Sequence, residues 1–177
     1  MANLKHLSLI CSILVLATIS MPQGHCRVFQ PNDVKLIEET CKNTSHPDLC
    51  IKLLETDPHS SSADVNDLAL ILVNVIKAKA NDTMNKINEL LKGGADEKGL
   101  LSSCANKYKA ILEGDVPLAT QALQSGKPEV AAFEVSHSVV EALSCEDDFT
   151  EKSPLFDENN VMIHAAEVTR DIIIQLL

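Results

Sequence analysis

Six Cys and six His are the residues of this 177-residue chain best suited to chemistry, and their spacing decides which chemistry that is. Cys11 and Cys26 fall in an apolar leader, leaving Cys41, Cys50, Cys104 and Cys145. An even number in an oxidising compartment predicts two disulfides, with three connectivities open and nearest-neighbour pairing the simplest. Loop closure puts each such bridge at roughly 2.5 to 4 kcal/mol for loops of about 10 and 40 residues. There is no C-x-x-C, and His46, His59, His137 and His164 hold no ligand spacing relative to the Cys, so neither a metal nor a cofactor is expected. Asn43-Thr44-Ser45 and Asn81-Asp82-Thr83 are N-glycosylation sequons, usable if the chain is exported.

Catalysis finds no support. There is no G-x-S-x-G, no H-E-x-x-H and no glycine-rich phosphate loop. His137 sits between Ser136 and Ser138, but neighbours on a helix point about 100° apart, so adjacency makes no dyad. His137 reads as a surface or half-buried side chain, and His164 as a structural histidine facing the core. Glu146, Asp147, Asp148 and Glu151 follow a helix end and read as a solvated turn rather than a glycosidase pair. A binding module fits better than an enzyme.

The whole chain agrees. It has 25 acidic and 15 basic residues, a net charge of −10, which argues against a nucleic-acid partner. Aromatics make up only 3%, and there are six Gly, which disfavours a β-sandwich or barrel. A hydrophobic fraction of 45% is too high for a disordered chain. Lys5 followed by the apolar run Leu7 to Ile19 reads as a signal peptide, residues 1–26, cut after Cys26 or alternatively after Gly24. Its removal takes away Lys5 and no acid, so the acidic excess grows by one. No later stretch approaches 20 apolar residues, so the mature form is expected to be free of membrane.

Helices must position everything else. Asp33 is expected to cap a helix over Val34 to Lys42, and Pro47 to open a second through Leu54. Asp57 to Ser62 is a break and the one candidate hinge. From Ala63 to Leu91 apolar residues recur at steps of three and four, a helix of about 42 Å ended by Gly93-Gly94. Asp96 is expected to cap a helix stopped by Gly114, and Asp115 to cap the next. Gly126-Lys127-Pro128 breaks the chain before a run to Cys145. Ser153-Pro154 precedes a last helix with Leu155, Val161, Ala165, Val168, Ile172 and Leu176 inward. Short loops between long amphipathic helices imply an all-α, up-and-down four-helix bundle, with the pair at 33–54 as an appendage.

Several segments together resemble the plant invertase and pectin methylesterase inhibitor family. They are Glu39-Thr40-Cys41-Lys42-Asn43-Thr44 with Asp48-Leu49-Cys50, Ser61 to Asp64, Leu68 to Leu72 and Ile76 to Ala80. Cys104 with Tyr108-Lys109, Asp115-Val116-Pro117, Cys145 to Phe149, Ser153-Pro154-Leu155, Val168 to Arg170 and Leu176-Leu177 complete the set. The resemblance spans essentially the whole mature chain. It implies Cys41–Cys50 and Cys104–Cys145 bridges and a four-helix bundle over 61–177. It also implies an N-terminal helical hairpin extension over 27–60, the two forming one inhibitor domain. It further implies a role as a proteinaceous inhibitor in cell wall, apoplast or vacuole.

The third helix and the C-terminal segments look more like the branch that inhibits acid invertase (β-fructofuranosidase) than the pectin methylesterase branch. That branch commonly carries Pro-Lys-Phe before the helix of the last cysteine, reaching into the substrate cleft. Here Pro128 stands at the matching place, followed by Glu129 and Val130, with Lys127 one residue earlier. The resemblance therefore implies that Lys127, Pro128, Glu129 and Val130 cover the target's cleft. Lys127 would replace the missing cation, and Glu129 would meet repulsion from catalytic carboxylates. Pectin methylesterase is the alternative target. A diverged non-inhibitory helical protein is the alternative of another class.

Overall fold

The structure is a computed structural model that describes residues 31–94 and 97–177. The expected signal peptide and the expected cap Asp96 lie outside the described residues. Among the described residues every regular element is helical.

Two short helices come first, α1 (Pro31–Cys41) and α2 (Pro47–Glu55). α1 begins earlier than expected, so Asp33 lies within its first turn rather than at its cap. Pro47 opens α2, where its missing N–H costs no helical bond. A disulfide joins Cys41 to Cys50 and clips the two helices together. The break after α2 is not loose. Pro58–Ser62 forms a 3-10 turn capped by Asp57, which accepts the His59 N–H at 2.8 Å. The buried Ser60 donates to the Leu54 carbonyl at 2.7 Å.

α3 (Val65–Lys92) runs 28 residues without Gly or Pro. Asp64, in extended conformation, caps it by accepting the Asp67 N–H at 2.8 Å. Gly94 ends it with φ 79°, a left-handed conformation that costs glycine little. Leu68, Leu72, Ile76, Ala80 and Ile87 are fully buried along its inward face.

The next segment corrects the sequence reading. Gly114 does not stop a helix, and Asp115 does not cap one. α4 (Lys98–Ala110) passes through a π turn (Ile111–Asp115) directly into α5 (Val116–Gln124). Pro117 explains the wide turn. A proline in a helix donates no N–H and its ring crowds the carbonyl four residues back. One i→i+5 turn, closed by the Val116 N–H on the Ile111 carbonyl, shifts those carbonyls aside and keeps the rod unbroken. The five expected segments of the bundle thereby become four rods.

α6 (Pro128–Asp147) and α7 (Phe156–Ile174) complete the bundle. A second disulfide, Cys104–Cys145, ties α4 to α6. α7 buries Asn159, Met162, Ala165, Ala166, Val168, Thr169, Ile172 and Ile173. Leu155, just before it, is buried as expected, whereas Val161 is 46% exposed. The inward stripe of α7 begins with a polar residue, Asn159, which hides its phase from an apolar count. Each fully buried Leu, Ile or Met in this core contributes about 1.5–3 kcal/mol of hydrophobic stabilisation. The appendage packs on α3 and α7.

Candidate functional site

The turn between α5 and α6 is fixed by its backbone. α5 ends in a double hydrogen-bond cap: Lys127 N–H donates to the Ala122 carbonyl at 2.9 Å, and Gly126 N–H to the Leu123 carbonyl at 3.2 Å. This pairing is the Schellman motif, and it requires the left-handed residue that Gly126 supplies at φ 65°. Pro128 then starts α6 at once, with φ already set for a helix. The result is a corner with few free backbone torsions.

Lys127, Glu129 and Val130 are exposed at this corner, and Pro128 is half-buried. Lys127 is the residue preceding the helix, and Glu129 lies in the first turn of α6. A carboxylate there interacts favourably with the helix dipole, which accounts for Glu129 locally whatever else it meets. Neither Lys127 nor Glu129 joins an ion pair among the described residues.

An apolar edge runs from the corner. Val130 and Lys127 line a shallow depression with Leu118, Gln121 and Ala122 of α5 and its C-cap residue Ser125. Val130 is 41% exposed, and Phe133, one turn further, is 68% exposed. Val140 continues the same outward face. Phe133 is the part of this edge that motif reading passed over. Its signal was a large aromatic one helical turn beyond Val130, in a chain with four Phe.

Asp115 supports α6 from below. The π turn aims its buried carboxylate at α6, where His137 Nδ1 donates to Oδ1 at 2.9 Å and Ser138 Oγ to Oδ2 at 3.0 Å. The hydrogen bond to Asp115 raises the His137 pKa above the ordinary imidazole value, against a smaller lowering by burial; Glu141 and Glu134 add to the rise. Ser138 and His137 therefore meet one carboxylate and not each other. With the serine buried and the carboxylate central, this is a tie between rods and not a nucleophile with its base.

The family described as plant invertase/pectin methylesterase inhibitor matches residues 35–174. The chain belongs to the plant invertase/pectin methylesterase inhibitor family. Within it, the chain is 42% identical over 137 residues to cell wall/vacuolar inhibitor of fructosidase 1 of Arabidopsis thaliana, covering 77% of this chain and 67% of that protein. It is 32% identical over 116 residues to a pectinesterase inhibitor of Actinidia deliciosa, covering 64% and 62% of the two. Among solved structures, a mutant form of a pectin methylesterase inhibitor from Arabidopsis aligns with a TM-score of 0.67 at 24% identity. That alignment covers 77% of this chain and 94% of the other, and shows the shared fold.

Other polar groups in this family member serve the scaffold. Glu146 and Asp148, read as a solvated turn, are both engaged. Glu146 accepts Asn159 Nδ2 at 2.8 Å, Ser153 N–H at 3.1 Å and the Ser153 hydroxyl. Burial pushes its carboxyl up, but these bonds outweigh burial and hold it below the ordinary range. Tyr108, wholly buried, donates to Asn159 Oδ1 at 2.8 Å, so α4, α6 and α7 share one network. Lys107 Nζ lies 2.6 Å from Asp148 Oδ2 and lowers that carboxyl. His164, expected to face the core, is exposed on α7. Asn43 and Asn81 are both exposed, with Asn81 on the outer face of α3. No described helix is long and apolar enough to cross a membrane.

Proposed function

We propose that this chain is a secreted inhibitor of plant acid invertase that uses the α5–α6 corner to cover the substrate cleft. The observation that carries the reading is the rigid corner itself, with Lys127 and Val130 exposed at its tip. A cleft inhibitor gains affinity when the inserted segment is ordered before binding, and the Schellman cap with Pro128 supplies that order. The 42% identity to a fructosidase inhibitor favours invertase over pectin methylesterase. Phe133 provides, one turn along, the aromatic anchor that Val130 cannot. Lys127 offers a cation to cleft carboxylates, while Glu129 opposes them. Residues 27–60 and 61–177 act as one inhibitor domain. Export to the cell wall or vacuole, through a leader over 1–26 and with glycans on Asn43 and Asn81, completes the reading.

Pectin methylesterase inhibition is the second reading, favoured by the 32% identity to a pectinesterase inhibitor. Incubating the mature, oxidised protein with an acid invertase and separately with a pectin methylesterase decides between them. Loss of sucrose cleavage alone is expected. Loss of methyl-ester release alone reverses the assignment, and loss of neither marks a non-inhibitory protein.

A further inference from the structure

α7 presents a polar stripe at His164, Glu167, Asp171 and Gln175 to the turn between α1 and α2. Ser45 N–H donates to Asp171 Oδ2 at 2.7 Å, and Gln175 Nε2 donates to the Thr40 carbonyl at 3.0 Å. His46 Nε2 lies 3.0 Å from Glu167 Oε2, across 121 positions of sequence. The His46 and His164 rings lie 4.5 Å apart at 44°. One possible ligand atom from each of His46, His164 and Glu167 falls within 4.8 Å of the others.

We propose that His46, His164 and Glu167 form a binding site for Zn2+ that fastens the helical hairpin to the bundle. Tetrahedral zinc with bonds of about 2.0–2.1 Å holds its ligand atoms roughly 3.3 Å apart. The His46–Glu167 pair is already close to that separation, and the exposed His164 has room to swing inward. His164 and Glu167 are three apart on α7, so they share a face. His46 is held by the clip below it: the Cys41–Cys50 bridge and the Thr44 hydroxyl on the Cys41 carbonyl at 2.7 Å. Two imidazoles and one carboxylate suit zinc and disfavour Mg2+ or Ca2+, which take oxygen ligands. A water fills the fourth position. Because the ligands come from elements far apart in sequence, the α1–α2 turn and α7, the ion binds only the docked form and stabilises it.

The test is calorimetric titration and thermal unfolding of the untagged, mature, oxidised protein after EDTA treatment, with ZnCl2 or MgCl2 at neutral pH. One zinc per chain and a raised Tm are expected, with no response to magnesium. His164→Ala, which removes an exposed ring, leaves the metal-free Tm unchanged and weakens zinc binding about tenfold or more, since even residues behind a metal ligand matter by that much. His46→Ala weakens it similarly, and His137→Ala, on the far network, leaves it unchanged. Absent zinc binding, or binding that His164→Ala does not weaken, overturns the site.

Discussion

Asp115 of the π turn and His137 of α6, 22 positions apart, share a 2.9 Å hydrogen bond that joins the α4–α5 rod to its neighbour. The imidazole is raised above its ordinary value, first by that bond. A group whose folded pKa is raised stabilises the fold fully below the unfolded value, about 6.5 for imidazole. That contribution is lost as pH rises through the higher folded value. Thermal unfolding should therefore show a lower Tm just above this range than below it, and His137→Ala should flatten that step. Because His137 is half-exposed, the step is small and shrinks in high salt.

Removing the acceptor is a harsher change. Asp115→Ala leaves the buried Ser138 hydroxyl without its partner. An unsatisfied buried hydroxyl costs about 1–3 kcal/mol. Denaturant titration should show that loss, whereas Ser138→Ala alone should cost less, because Asp115 keeps His137.

At acid pH the network around Glu146 becomes the weak point. Its depressed carboxyl stabilises the fold above the ordinary carboxylate range, and that contribution is lost as pH falls through the folded value. Glu146→Gln should make stability less dependent on pH over the acid limb of an unfolding curve. Tyr108→Phe should cost about 1–3 kcal/mol at all pH values below tyrosine ionisation, by leaving Asn159 Oδ1 buried without a donor.

Much of the fold was legible because core spacing carries it. α3 follows its 3–4 pattern within two residues of the expected start, and the Gly93-Gly94 stop and the Pro47 and Pro128 starts are where backbone chemistry puts them. What failed did so for local reasons. Gly114 and Asp115 have the residue types of a stop and a cap, yet Pro117 is absorbed by a π turn and the carboxylate turns inward. Val161 fits an apolar count, but the true stripe passes through polar Asn159. Lys127 to Val130 were singled out by motif position, and the structure puts them at an exposed corner between α5 and α6. Phe133 showed only as an aromatic one turn beyond Val130, and its exposure was not legible; the His46–His164–Glu167 group left no mark, since long-range proximity is invisible in spacing.

Charge at the corner gives a separate prediction. Glu129→Lys should strengthen inhibition of an acid invertase by about tenfold, near 1.4 kcal/mol, by replacing repulsion with attraction. A parallel loss of helix-dipole stabilisation, about 0.3–1 kcal/mol, should appear in unfolding but not in the inhibition constant. Unchanged or weaker inhibition would remove Glu129 from the contact.

The most direct measurement is the inhibition constant of the mature, oxidised protein on a plant acid invertase, wild type against Val130→Asp and Phe133→Ala. Both side chains are exposed, so Tm should hold steady in each variant. The account predicts that each raises the constant about tenfold or more, as loss of an apolar anchor does. Inhibition as strong in both variants as in the wild type would contradict a target contact at the α5–α6 corner.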